Sequence, residues 1–138
     1  MTFVLIHCHN ITARSFRYPA RNGRLGSSLM KAAICSVFAD NFQKEVLEET
    51  RPVLLLCTYR DHEFSQQLKM LQDFTIETTH DFKVGLLAEE FISAFKEAYG
   101  ISGTPTYLLL VQGQERGRLL GFAEMKALKD WLGELSVL

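Results

Sequence analysis

The chain has little cysteine, and none of it is spaced for metal binding or disulfide exchange. Its three cysteines, Cys8, Cys35 and Cys57, are widely separated in a sequence of 138 residues. A zinc knuckle or a redox dithiol needs two cysteines separated by two residues. The spacing therefore excludes a Cys-x-x-Cys dithiol, and we expect no metal and no cofactor. Few and unpaired cysteines also suit a reducing compartment, so we expect a cytoplasmic protein.

Long apolar runs are absent as well. The longest ones, Val53–Cys57 and 107–111, are five residues long, whereas a membrane-spanning helix needs about 18 or more. They suit buried strands, and we expect no membrane contact. A basic surplus is also missing, since the net charge is −1. Recognition of phosphate needs clustered Lys and Arg, so we expect no nucleic-acid partner.

Residues 1–29 differ in composition from the rest. They hold four of the 15 basic residues and no acidic one, which leaves 11 basic against 16 acidic residues from residue 30 onward. We expect residues 1–29 to be a disordered N-terminal extension, or a segment upstream of a start at Met30, and residues 30–138 to form one domain. An Arg-bearing, acid-free segment is also typical of a transit peptide, which would place the protein in an organelle.

From residue 31 the apolar pattern becomes regular and predicts alternating strands and helices. Asp40 is the expected N-cap of the first helix, with Gln43 in capping-box position, and Gly100 is the expected C-cap of the third. A loop is expected at 75–81 between the second helix and the third strand. The predicted strands are 31–36, Val53–Cys57, 82–87, 106–111 and 118–122, and the helices lie at 40–49, after residue 62, at 91–99 and from residue 125. The order β-α-β-α-β-α-β-β-α predicts an α/β sandwich of three layers around a mixed sheet.

One segment carries a specific resemblance. Residues 99–110, Tyr-Gly-Ile-Ser-Gly-Thr-Pro-Thr-Tyr-Leu-Leu-Leu, closely resemble the thioredoxin segment that holds a cis-proline. The similarity continues in Gly113, in Gly121 and in the amphipathic last helix, and Asn41-Phe42 and Pro52-Val53-Leu54 stand at thioredoxin-like spacing upstream. It covers about residues 31–137. The resemblance implies a thioredoxin fold with Pro105 at the cis position.

The sequence departs from that family at its reactive centre. Counted along the chain, His62 stands where a thioredoxin has its nucleophilic cysteine and Ser65 where it has the resolving one. Leu56 takes the place of the buried aspartate that serves proton transfer. Disulfide exchange needs a thiolate to attack and a second thiol to resolve the mixed disulfide. We therefore expect a redox-inactive relative that binds a partner rather than an enzyme.

The resemblance also indicates where a partner would bind. In thioredoxin relatives the residue before the cis-proline pairs with an extended peptide, so Thr104 and Pro105, with Tyr59 and His62 across from them, would line a groove for a protein or peptide. A turn requirement alone could equally explain the proline. The alternative function is a single-cysteine thiol redox protein in cell redox homeostasis, working through Cys57. The position of Cys57 at the end of an apolar strand favours a buried, unreactive thiol instead.

Overall fold

The computed structural model describes residues 34–137, so the expectations for residues 1–29 and for Met30 lie outside the described part of the chain. The strands are β1 (Cys35–Val37), β2 (Val53–Cys57), β3 (Lys83–Leu87), β4 (Thr106–Val111) and β5 (Gln114–Leu120). The helices are a π-helix (Gln43–Leu47), α1 (Phe64–Glu77), α2 (Glu89–Tyr99) and α3 (Met125–Glu134). The predicted order of elements is confirmed. None of these helices is long and apolar enough to cross a membrane.

The five strands form one mixed sheet in the order β1-β3-β2-β4-β5. The first three run parallel, with Leu55 opposite Gly85, and β4 runs antiparallel to β2, with Cys57 opposite Thr106. The last strand pairs antiparallel with β4, which places Leu120 opposite Thr106. The carboxyl ends of β1, β3 and β2 therefore share one edge of the sheet with the start of β4 and the end of β5. We call this edge the upper edge.

Two apolar layers cover the sheet, and β2 shows why. All five of its residues are buried, because a central strand with helices on both faces needs apolar side chains on both. Leu55 and Cys57 pack in one layer with the π-helix and α2, whereas Leu54 and Leu56 pack in the other with α1 and α3. The three-layer α/β arrangement is confirmed.

The first helix differs from its prediction. It is a π-helix of five residues whose N-cap is Phe42, without a side-chain cap, so Asp40 and Gln43 do not form the expected capping box. The turn is held by the buried side chain of Asn41 instead. Its Oδ1 accepts a hydrogen bond from the Phe38 N–H at 2.7 Å, and its Nδ2 donates to the Ser36 carbonyl at 3.1 Å.

Other boundaries differ too: β1 extends to Val37 rather than 36, β5 ends at Leu120 rather than 122, and two further differences have a local reason. The second helix ends at Glu77, although the sequence predicts that a loop starts at Thr75. Phe74 and Thr75 are buried, so the last turn of the helix packs against the core. The hairpin loop is only Gln112-Gly113, and both residues have positive φ, 52° and 81°. That conformation is the one required by a tight two-residue turn, so β5 begins at Gln114 rather than at residue 118.

Candidate functional site

The upper edge brings together two of the segments predicted to form the groove. Cys57, the last residue of β2, is paired with Thr106, the first residue of β4. Tyr59 and Thr104 each lie two residues beyond that pair, so they leave the sheet at the same edge. The Thr104–Pro105 peptide bond is cis. The structure thus places Tyr59, Thr104 and Pro105 at the same edge of the sheet.

The backbone of Thr104 lies between two residues whose carbonyls accept hydrogen bonds, Gly103 and Pro105. The Pro105 carbonyl accepts a hydrogen bond from the Gly121 N–H at 2.8 Å. On the other side, the Thr106 hydroxyl donates to the Gly103 carbonyl at 2.7 Å. Neither the N–H nor the C=O of Thr104 pairs with a backbone group among residues 34–137. Thr104 is half-buried, and its two backbone groups lie between hydrogen-bonded neighbours at the end of the sheet.

Two basic side chains at the upper edge, Arg60 and Lys96, make contacts within the fold. The Arg60 guanidinium donates to the carbonyls of Thr58 and Leu87, both at 3.1 Å. It also lies over the Phe64 ring, 4.8 Å from the centroid. The Lys96 ammonium lies 5.7 Å from the centroid of the Tyr59 ring. Arg60 therefore ties the end of β2 to the end of β3, and Lys96 supports the half-exposed Tyr59.

The two residues at the positions of the missing dithiol lie in an open turn. Ser65 is exposed at the start of α1, and the His62 side chain is 89% exposed. Its imidazole Nε2 is 4.0 Å from the Glu63 carboxylate. The turn is closed by Asp61, whose Oδ1 accepts a hydrogen bond from the Glu63 N–H at 3.0 Å. No contact joins His62 to Thr104 or Pro105 among the polar interactions of the described residues, so the expected role of His62 in the groove stays a prediction.

Cys57 is a buried thiol and a poor nucleophile. It is fully buried, and burial raises its pKa to about 11, because an apolar environment disfavours the thiolate; the charge of Lys96 offsets this only in part. Reactive cysteines have a lowered pKa and some exposure. Cys35 is disulfide-bonded, which the expectation of reduced cysteines did not anticipate, so it offers no thiol either.

A buried polar contact beneath the groove was not predicted. The Tyr107 hydroxyl donates a hydrogen bond to the Gln67 side-chain carbonyl, and the Gln67 amide donates to the Ala123 carbonyl at 3.2 Å. These bonds tie α1 to β4 and to the segment that follows β5. The available signal was a polar residue on the apolar face of α1, three residues after Phe64 and four before Leu71.

The structure also exposes large apolar side chains, of which the sequence predicts a role only for Tyr59. Large exposed hydrophobic residues among 34–137 are Tyr59, Ile76, Leu120 and Phe122. Three of these four lie at the upper edge, and Leu120 and Phe122 flank Gly121, whose N–H holds Pro105. Within residues 34–137, no three His, Cys, Asp or Glu side chains are grouped to hold a metal ion.

Comparisons with known proteins agree on the fold and go no further. No family model and no curated protein matches this chain. Among solved structures, it is similar to a mutant thioredoxin from Halobacterium salinarum NRC-1, with a TM-score of 0.59 and 21% identity over 75% of this chain and 92% of that one. A designed protein matches with a TM-score of 0.59 and 19% identity, over 69% of this chain and 85% of its own. The chain therefore has a thioredoxin-like fold.

Proposed function

We propose that this chain is a redox-inactive thioredoxin-like protein that binds an extended protein or peptide segment at the groove beside Thr104. The observation that carries the proposal is the open backbone of Thr104 at the end of the β2–β4 pairing. An extended peptide can add to such groups as a further strand, with affinity from main-chain hydrogen bonds and specificity from neighbouring side chains.

The exposed apolar residues of the upper edge support the same proposal. Leu120 is 60% exposed, Phe122 49% and Tyr59 40%. Leu120 belongs to the row of paired residues Cys57, Thr106 and Leu120, and Tyr59 and Phe122 each lie two residues beyond it. Clustered exposed hydrophobic side chains mark interaction surfaces more often than single ones do. The groove would therefore offer a peptide both backbone partners and apolar contacts.

The site gives no support to the single-cysteine alternative. That function needs a thiolate at neutral pH, whereas Cys57 is fully buried with a pKa of about 11. A resolving thiol is also missing, because Ser65 stands at its position in the sequence. We therefore expect no reduction of insulin by dithiothreitol above the uncatalysed rate. A rate above that background which disappears in Cys57→Ala would favour the alternative.

Binding is tested with a library of random twelve-residue peptides selected against the full chain. A selected peptide should shift the Thr104 amide resonance and slow its hydrogen exchange. Leu120→Asp should weaken binding at least about tenfold, because a buried leucine contributes about 1.5–3 kcal/mol. Ile76→Asp is the matched control, since Ile76 is equally exposed but lies near the end of α1, at the opposite edge. Peptides that leave Thr104 unchanged, or that lose more affinity in the control, would refute the proposed groove.

A further inference from the structure

The upper edge carries acidic residues that form no ion pair with a Lys or Arg of the described chain. Asp40 follows β1, Glu89 and Glu90 follow β3, and Asp61 and Glu63 follow β2. None of the five forms an ion pair with Lys or Arg among residues 34–137. Of the eleven other acidic side chains among residues 34–137, seven are paired in this way, namely Glu45, Glu49, Asp73, Glu77, Asp81, Glu115 and Asp130. The apolar groove thus borders on a negative surface.

Two nearby cations, Arg60 and Lys96, offset this negative charge only in part, because the five acidic residues outnumber them. The Arg60 guanidinium is held by two carbonyls, and the Glu89 carboxylate accepts its hydrogen bond from the Arg60 backbone N–H at 2.6 Å rather than from the side chain. Lys96 lies about two turns into α2, and its ammonium group lies over the Tyr59 ring. A ligand that covered the exposed apolar residues and carried positive charge would complement both parts of the surface.

The chain itself contains such a segment before β1. Residues 14–24 read Arg-Ser-Phe-Arg-Tyr-Pro-Ala-Arg-Asn-Gly-Arg, with four arginines, two aromatic residues and no acid. Arg24 precedes Ile34 by ten residues, which span at most about 33 Å. Ile34 lies before β1, at the edge opposite the groove, so the chain must run along the strands, about 17 Å for five residues, and cross three strand spacings from β1 to β4, about 14 Å. The segment is therefore long enough to reach the groove from its own chain.

We propose that residues 14–24 bind intramolecularly along the upper edge, with their arginines beside Asp61, Glu63 and Glu90 and their aromatic side chains beside the exposed apolar residues of the groove. The segment then competes with external peptides for Thr104. The inference rests on the proposed function, because both place a ligand in the same groove. Tethering favours the intramolecular partner, since a short linker gives an effective concentration in the millimolar range.

Tryptic cleavage of the folded full chain at Arg14, Arg17, Arg21 and Arg24 tests the docking. Glu63→Gln/Glu90→Gln should speed cleavage about fivefold at low salt, because each exposed ion pair contributes modestly. High salt should remove the difference by screening. The control, Glu48→Gln/Glu134→Gln, changes two exposed acids away from the upper edge and should leave the rate unchanged. Equal rates in all three chains would overturn the proposal, as would protection that depends on protein concentration, which indicates binding to a second copy.

Peptide affinity separates this inference from the proposed function. A peptide selected from the random library should bind about tenfold more tightly to a chain with Arg14, Arg17, Arg21 and Arg24 changed to Gln, because the competitor is then weakened. Equal affinity for both chains would overturn the docking and leave the groove standing. Protection from trypsin in the wild type with no peptide bound by either chain would support the docking and refute binding of external peptides.

Discussion

The Tyr107 hydroxyl on β4 donates a hydrogen bond to the Gln67 side-chain carbonyl on α1, beneath the groove. Both residues are buried, with exposures of 0% and 2%. Burial raises the pKa of Tyr107 well above its usual value, so the hydroxyl keeps its proton. The bond joins the helix that follows the open turn at His62 to the strand that follows Thr104, so it fixes α1 relative to β4.

The first prediction concerns this pair. Tyr107→Phe should lower the free energy of unfolding by about 1–3 kcal/mol, because it leaves the buried Gln67 carbonyl without its donor. Adding Gln67→Met should cost less than the sum of the two single substitutions, since the orphaned polar group is then gone. Urea unfolding of the two single variants and the double variant measures the coupling. Strict additivity would show that the bond does not contribute to stability.

The second prediction concerns the ion pairs at the lower edge of the sheet. Glu49 accepts hydrogen bonds from the side chain and backbone of Arg51, at 2.8 and 3.0 Å, and lies 3.4 Å from the Lys83 ammonium. Burial acts to raise the pKa of Glu49, but the bonds and charges of Arg51 and Lys83 outweigh it and lower the pKa to about 2. The folded chain therefore binds this proton more weakly than the unfolded chain does.

Because this pKa is depressed on folding, Glu49 stabilises the fold fully above its unfolded value near 4.5, and the contribution falls as the pH drops toward 2. Glu49→Gln should lower the unfolding free energy by about 1–2 kcal/mol at pH 7, and the difference from wild type should shrink below pH 4.5. Unfolding in urea at about pH 7, 4 and 3 measures this. Glu48→Gln, which changes an exposed neighbour, is the control and should change the unfolding free energy little at about pH 7. A difference that grows on acidification would contradict the assignment.

The third prediction concerns Cys57. At neutral pH the thiolate is a minor species when the pKa is about 11, and the sulfur is shielded in the layer beneath α2. Native alkylation by iodoacetamide between about pH 5 and 9 should therefore be slow and should follow opening of the fold. Mass spectrometry of the Cys57 peptide gives the rate, and the chain unfolded in guanidinium supplies the reference for a free thiol. Rapid native reaction below neutral pH would restore the single-cysteine redox function.

The sequence predicts the centre of this fold better than its periphery, and the reason is physical. Val53–Cys57 was located to the residue because a strand buried on both faces is apolar throughout. The first helix was misjudged because its turn depends on Asn41 hydrogen bonds to Phe38 and Ser36, which the helix-capping pattern does not reveal. The sequence predicts the hairpin but gives it too long a loop, since Gln112 adopts positive φ although it is not glycine.

The residues of the candidate site are likewise predicted only in part from the sequence. The resemblance predicts Thr104 and Pro105 as site residues, because a turn before a strand has a local sequence pattern. The exposed residues Leu120 and Phe122 could not be foreseen, since in sequence they are indistinguishable from core residues and only their place at the end of an edge strand exposes them. Gln67 could be noticed as a polar residue on an apolar face, but its partner Tyr107 is 40 residues away along the chain.

The last prediction tests the packing that aligns β1, β3 and β2 beneath the upper edge. A Cβ at Gly85 in β3 would lie 3.1 Å from both Leu55 Cδ1 and Val37 Cγ2, closer than packed side chains usually approach. Gly85→Ala should therefore lower the unfolding free energy by about 1–3 kcal/mol, because both neighbours must shift in a tightly packed layer. Gly133→Ala is the matched control, since a Cβ there meets no atom within 4 Å and alanine favours the helix by about 0.5–1 kcal/mol. Urea unfolding compares the two variants with wild type. If Gly85→Ala were as stable as Gly133→Ala, close packing would not be the reason for glycine at this position.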